Sequence, residues 1–475
     1  MLVERNSLEE LLAADDGRDA VWTEHRASTM RPDPDHIRSN RSLDLFCREV
    51  LGDARARFLI PEQSVYLHHD LRISPAYRGE TRFHAWMYIH DRAGRVVTEI
   101  LPRKEPESFQ PYPWNSPVRR PGAYLYLGFL IVHFGHLLTE FISRLWPDMS
   151  KLPADTRILL HYRTEEERAL TEMPDSTSGR IFRSLLAAAG LGGHEVEYVR
   201  QDAVYETVLT PTPQNVYRAG ARPELAQTAA KLLPNLAPDL DAVQGEFSDK
   251  IFYSRGQLIP RLRKYYNAAE VEAVFRAHGF TVVHPQAYPF QKQLAIARRA
   301  KVIAGEEGSA FCSAIFADKP VILYLESGRF HPNLPMILYQ TCRRMLYLLP
   351  VGRERTLPKA RLFSQLYADP HELDRQLTQF LGAKGKRPEL PRSPEGCSLT
   401  EQAFLASLTG DVAGCLEALG ALFELDPAGF DPGQISPLGC NLEQAKVPED
   451  VFQIFQETTA VMIRALAGLA RRGGI

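Results

Sequence analysis

Apolar and polar positions change their period several times along the chain. Between Arg57 and Ile100 the short runs RFLIP, SVYLHH, FHAWMYIH and RVVTEI are rich in β-branched and aromatic residues, and DRAG between the last two has the composition of a hairpin turn. The first 45 residues show no sustained period beyond a short helix near Ser7 to Ala14, which predicts an irregular segment. Pro102 to Gly122 is proline-rich and polar, which predicts a loop. From Tyr124 onward strand-like and helix-like runs alternate: an apolar strand, the helix HFGHLLTEFISRLW, strand RILLHY, helix GRIFRSLLAAAG, then strands EVEYV and YETVLTP. This alternation predicts helices packed on a mainly parallel sheet.

The segment Pro223 to Ala242 holds the helix ELAQTAAKLL and then proline punctuation, and it predicts a domain boundary. Beyond it the alternation is more regular. Strands are expected at Lys250–Ser254, Phe280–His284, Lys301–Ala304 and Val321–Leu325. Helices are expected at Asn267–His278, closed by Gly279, at Phe290–Arg299 and at Gly308–Ala317. After KGKRPELPRSPEGC the runs SLTEQAFLASLTGDVAGCLEALGALFEL and PEDVFQIFQETTAVMIRALAGLARR read as amphipathic helices. Four parts follow: an irregular N-terminal segment 1–56, a β-rich and α/β domain 57–235, a Rossmann-like domain 236–385 and a helical appendage 386–475.

Composition narrows the class. With 44% hydrophobic and 24% charged residues the chain is an ordinary globular protein, and 56 Lys plus Arg against 58 Asp plus Glu give it no general attraction to nucleic acid. The six cysteines are scattered with no CxxC pair, which argues against a disulfide scaffold or zinc ribbon and for a reducing compartment. The N-terminus is acidic and lacks the apolar core of a secretory signal, and the most apolar run, Ala123 to Val132, is too short to span a bilayer. A cytoplasmic protein is expected, with peripheral association at the inner face of a membrane left open.

Four constellations could carry chemistry. In FYSRGQLIPRLRKYYN a strand runs into a loop with Arg255, Arg261, Arg263 and Lys264, at the sheet edge where ligands of doubly wound folds bind. Guanidinium forks there suit a diphosphate, and the plainer reading is a solvated basic loop. Asn267 and Glu270 behind it have capping-box spacing. In VIAGEEGSAFCSAIFA a strand turns through Gly305, Glu306, Glu307 and Gly308 into a helix near Ser309; a carboxylate here would accept sugar or ribose hydroxyls, unless the pair simply faces solvent. Glu326 and Ser327 end the strand VILYLES, a position from which a carboxylate can hold a ribose diol. In HFGHLLTEFISRLW, His133, His136, Glu140 and Arg144 fall on one helical face: a histidine base, a carboxylate to orient it and a cation for an anionic group. A metal at His133, His136 and Glu140 lacks HExxH spacing, and GxSxG, Walker A and CxxC motifs are absent.

The ordered series FGHLLTEFISRLW, FYSRGQLIPRLRKYYNAAE, HGFTVVHP, FQKQLAIARRAKVIAGEEGSAF, SAIFA and PVILYLES resembles glycosyltransferase family 61, whose bacterial members include capsular polysaccharide biosynthesis proteins. The resemblance runs discontinuously from Phe134 to Glu326. It implies a GT-B-like α/β fold, two Rossmann-like domains facing a cleft, with the donor in the C-terminal half. It implies an inverting, metal-independent transferase with no cofactor, a nucleotide-sugar donor and a glycan acceptor. By resemblance, Arg255 and Arg263 would hold the diphosphate and Glu307 and Ser309 the donor; Arg261, Gly308 and Glu326 are further donor candidates from their place in the basic loop, the turn and the strand end. His136 and Glu140 would act in the acceptor cleft, with Arg144 binding the acceptor and the Arg119–Arg120 loop bordering it. One departure stands out: many members of the family carry His-Gly-Ala where this chain has Glu307-Gly308-Ser309. A catalytically silent glycan- or nucleotide-binding scaffold is therefore the alternative, and metal-dependent hydrolysis is a third. Oligomeric state, donor sugar and linkage stay open.

Overall fold

In a computed structural model, the structure describes residues 3–13, 18–30, 37–39, 58–78, 85–98, 100, 108, 110, 112–216, 220–237, 239, 243, 245–258, 265–325, 333–342, 345–349, 367–381, 394–426, 430, 432 and 435–471. Two sheets organise the α/β part. The first contains β1 (Val3–Arg5), β2 (Ala20–His25), β3 (Gln63–Ile73), β4 (Val118–Leu130), β5 (Arg157–Tyr162), β6 (Val196–Tyr198) and β7 (Ala203–Pro211), in the order β1-β2-β3-β7-β4-β5-β6, with Ile89–His90 added on β3. It is a mixed sheet. β7, β4, β5 and β6 are parallel, whereas β3 runs antiparallel to both β7 and β2. The Asp91–Gly94 hairpin turn forms as its composition predicts, with Gly94 at φ +80° and Arg95 bonded back to Asp91.

The second sheet contains β8 (Lys250–Tyr253), β9 (Thr281–Val283), β10 (Val302–Glu306), β11 (Val321–Leu325) and β12 (Met345–Leu349), in the order β9-β8-β10-β11-β12, every pair parallel. Alternate residues of the same strands enter two different cores: Ile251, Ile303 and Ile322 on one face, Phe252, Ala304 and Leu323 on the other. Burial on both faces explains why these strands are short continuous apolar runs. The strand order reverses between β8 and β10, and the carboxyl ends of strands at such a reversal form a crevice that binds ligands.

Two expectations change. Among the described residues of the first 45, expected to be irregular, β1 and β2 join the first sheet and Ile37–Ser39 pairs in parallel with β12 at the edge of the second. The stretch expected as a loop up to Gly122 ends inside β4, whose first residues Val118–Arg120 pair with β7. The helix Glu224–Leu236, in the segment where the sequence predicts a domain boundary, packs in a core shared with the second half: Leu225, Leu232 and Leu236 meet Phe290, Phe316 and Ile337 there. Burying each such side chain contributes about 1.5–3 kcal/mol, so the junction is a packed interface.

Among the described residues of the C-terminal region are the helices Pro394–Thr409, Val412–Leu425, Ile435–Gln444 and Glu449–Arg471. The first long amphipathic run breaks in two because Gly410 adopts φ +79° and Asp411 caps the next helix through the Gly414 N–H. The helices have their own core around Phe404, Leu419, Leu438 and Phe455. They dock through Tyr266, stacked on Phe404 with ring centroids 5.4 Å apart, and Tyr367, whose hydroxyl donates to Cys397 O at 2.8 Å. Among the described residues no helix is long and apolar enough to cross a membrane.

Candidate active site

The first side of the site grows out of β4. After Leu130 the chain leaves the sheet and turns at once into helix, but not into the regular α-helix that the pattern predicts. Phe134–His136 is α, Leu137–Phe141 is a π-turn and Ile142–Arg144 is 3₁₀. The Ile142 N–H reaches back five residues to Leu137 O, and Thr139 Oγ1 donates to Gly135 O at 2.8 Å. The apolar residues Leu137, Leu138, Phe141 and Ile142 anchor the segment in the core. Widened turns of this kind collect at functional sites because they re-aim side chains.

The change of helix type separates the predicted polar face. His136 Nδ1 and Glu140 Oε1 meet at 2.5 Å and both remain partly exposed. Arg144 goes elsewhere. It is 3% exposed, its Nη1 donates to Pro211 O at 2.7 Å, and a Cβ on Gly128 would lie 2.8 Å from its Nε. Burial lowers its pKa to about 10, against the raising charges of Tyr126 and Glu140. Arg144 is therefore buried and engaged with Pro211 O, and it acts on Glu140 through its charge. His133 is exposed, and its ring is held below the ordinary imidazole value, first by desolvation and then by His136, Arg163 and Arg255. The Arg119–Arg120 stretch lies in the first residues of β4, at the opposite end of that strand, with Arg119 paired to Asp70 at 2.9 Å.

The second side is the reversal point of the parallel sheet. β8 is followed by Ser254 and Arg255; β10 ends in Glu306, followed by Glu307, Gly308 and a 3₁₀ helix, Ser309–Phe316, where an α-helix is expected. A Cβ on Gly308 would collide with Arg255 Nη1, so the bare glycine lets the guanidinium lie across the turn. Glu306 and Glu307 are 5% and 7% exposed, which rules out a solvated pair of turn glutamates. Asn267 makes no capping bond. Its amide instead bonds Glu270 and Ala368 O, and its Oδ1 accepts the Ala368 N–H, so it ties the loop end to a distant segment.

The two sides touch. A Cβ on Gly135 would lie 3.2 Å from both Ser309 Cβ and Cys312 Sγ, and Phe134 meets Phe290 edge-on with centroids 6.1 Å apart. The charge on Glu140 helps push the buried Cys312 thiol up to about 12, after burial itself, and Arg255 acts on His133. His136, Glu140, Arg255, Gly308 and Ser309 are thus gathered at one junction, with Glu307 buried beside them. Arg261, Arg263, Lys264, Glu326 and Ser327 lie outside the described residues. Among the described residues no three His, Cys, Asp or Glu side chains are grouped to hold a metal ion.

Sequence reasoning passes over several members. Gly135 carries a legible signal, a glycine inside an apolar helical pattern, which marks a close approach. Glu272 does not: it lies mid-helix, yet its Oε1 accepts the Ser254 hydroxyl at 2.6 Å and lies 3.6 Å from His284 Nε2 at the end of β9.

With Glu140 ionised, His136 Nδ1 donates to it and Nε2 is left to accept a proton, while Arg255 offers a positive fork across the junction. No curated protein matches the chain. Residues 134–324, which contain both sides of this junction, match the sequence model of the family described as Glycosyltransferase 61.

Proposed function

We propose that the protein is a glycosyltransferase that moves a sugar from a nucleotide-sugar donor to a hydroxyl of a glycan acceptor. The observation that carries this reading is the junction itself: a His–carboxylate pair from one half facing an arginine laid over a glycine turn of the other, within residues that match a glycosyltransferase family. In this reading the enzyme is GT-B-like and takes its donor on the second sheet, a placement that the strand reversal between β8 and β10 supports. His136 Nε2 takes the proton of the acceptor hydroxyl, the freed oxygen bonds to the anomeric carbon, and the bond to the diphosphate breaks with its electrons on the leaving oxygen. Attack from the face opposite the leaving group inverts the anomeric centre. Arg255, with Arg261 and Arg263 from the same loop, neutralises the departing diphosphate without a bound metal. Glu307, Ser309 and Glu326 are the groups for the donor's sugar and ribose hydroxyls. The acceptor class that fits is a surface or capsular polysaccharide made at the cytoplasmic side of a membrane.

A calorimetric screen of UDP-, GDP-, CMP- and dTDP-sugars, with and without chelator, tests the reading. One donor should bind irrespective of chelator, and Arg255→Ala should weaken it about 10–100-fold, the worth of a charge-assisted fork. Donor binding of equal strength in the variant would remove Arg255 from the mechanism. Glu307 favours a second reading, a silent nucleotide- or glycan-binding scaffold, because a buried carboxylate opposes a diphosphate where many members of the resembled family carry histidine. Donor binding without turnover on any glycan would select it.

A further inference from the structure

Beneath Arg255 the protein keeps two carboxylates out of water. Glu306, at the end of β10, accepts the Arg255 N–H on Oε1 at 2.9 Å, and the backbone of Tyr265 gives it a second hydrogen bond. Arg255 and Tyr265 are the two ends of the segment whose sequence carries Arg261, Arg263 and Lys264. Glu272, from the helix Ala268–Ala277, holds the same root from below. It accepts the Ser254 hydroxyl, Ser254 Oγ accepts the Gly256 N–H at 2.9 Å, and a Cβ on Gly256 would lie 2.8 Å from Glu272 Oε1. Arg276 binds the other oxygen of Glu272 at 2.8 Å. An ionised carboxylate at this depth is costly unless its hydrogen bonds are made, and Glu306 accepts them from the backbone of Arg255 and of Tyr265.

We propose that Glu306 is a positioning residue that fastens the backbone at Arg255 and at Tyr265 to the end of β10 and so holds the Arg255 guanidinium over Gly308 for the diphosphate of a nucleotide sugar. The ligand in this statement rests on the donor reading above; the clamp itself does not. Glu306 faces Arg255 from the loop and Glu272 from the helix, the latter with Arg276 and His284 on it, and Glu307 follows it in the chain. Burial, the largest influence, with the charge of Glu272, pushes the Glu306 carboxyl up to about 7, against the Arg255 and Tyr265 bonds and the Arg255 charge. A protonated carboxyl is a weaker acceptor for main-chain N–H groups, so the clamp loosens as pH falls through that range.

The test uses the full chain and two variants, Glu306→Gln and Glu306→Asp. Amide hydrogen exchange at Arg255 and Tyr265 is measured without ligand, and calorimetry with UDP-glucose, GDP-mannose and dTDP-glucose reads donor affinity. In Glu306→Gln both amides should exchange about tenfold faster at pH 8, and donor affinity should fall about tenfold, the worth of a charged hydrogen bond. Glu306→Asp should lie between. From pH 8 to pH 6 the wild type should lose affinity and protection at both amides, corrected for intrinsic exchange, while Glu306→Gln stays flat; the donor diphosphate diester does not titrate there. A cooperative melt confirms that each variant folds, and the wild-type pH series decides if Glu306→Gln does not. Unchanged protection at both amides in folded Glu306→Gln, or a flat wild-type series, overturns the clamp. Loss of protection with no donor bound by the wild type would keep the clamp and remove the donor reading.

Discussion

Two carboxylates stand on opposite sides of the junction and are kept in opposite ways. Glu140 is partly exposed, bonded to the imidazole of His136 and placed in the field of the buried Arg144. Glu306 is sealed from water and bonded to main-chain N–H groups that cannot titrate. In the proposed mechanism the first orients the imidazole that takes a proton from the acceptor. The second takes no part in that transfer and holds main-chain groups in place. Residue type is the same in both; the chemistry lies in what each is bonded to. The backbone differs in the same sense. A widened helical turn aims the first, whereas the end of a regular parallel strand fixes the second.

The largest effect that would break this contrast is on turnover. His136→Ala should lower kcat about 10²–10⁴-fold, the worth of a general base, and leave donor affinity unchanged in calorimetry. An equal fall in donor affinity would place His136 on the donor side. Arg144→Met should cost about 1–3 kcal/mol in a urea titration, because it orphans the buried Pro211 O, while the activity of the folded fraction persists. Lost acceptor affinity with stability intact would return Arg144 to the acceptor site.

Stability against pH sharpens the Glu306 side. Its carboxyl is raised from 4.5 to about 7 in the folded protein, so the fold favours the neutral form. Both states are protonated below the unfolded value. As pH rises through the folded value, the buried charge destabilises the fold by up to about 3 kcal/mol. Wild type should therefore lose stability relative to Glu306→Gln between about pH 4.5 and 7, and parallel curves in chemical denaturation would show that the charge is not felt. The smallest effect is at Gly308. Gly308→Ala pushes Arg255 aside by the width of a methyl group, so donor affinity should fall only several-fold, about 1 kcal/mol, with the melting temperature unchanged. No change would mean that Arg255 does not need to lie across the turn.

The parallel strands β8 to β11 and the Gly279 helix end are legible in the sequence because both sheet faces are buried and glycine alone takes φ +80° without strain. β2 and Ile37–Ser39 are not legible, because each is a short strand paired with one remote in the chain, and the three-residue β1, paired with β2, is too short to show a period. His136 and Glu140 stay paired at i, i+4, but the departure of Arg144 follows from the π-turn and from room left by Gly128. The sequence places Glu306 and Glu307 on a turn and says nothing of their burial, which the segments packed over β10 decide. The capping-box spacing of Asn267 and Glu270 misleads because Ala368, about a hundred residues on, competes successfully for the asparagine side chain.

The most direct test of the central claim, that one site is built from both halves, is the release of nucleoside diphosphate from the tightest-binding nucleotide sugar, measured with a glycan acceptor for wild type, His136→Ala and Arg255→Ala in chelator. The account predicts acceptor-dependent release by wild type, almost none by His136→Ala at saturating donor, and partial recovery by Arg255→Ala as donor concentration rises. Equal release by all three proteins, or none by wild type with any donor and acceptor, would contradict it.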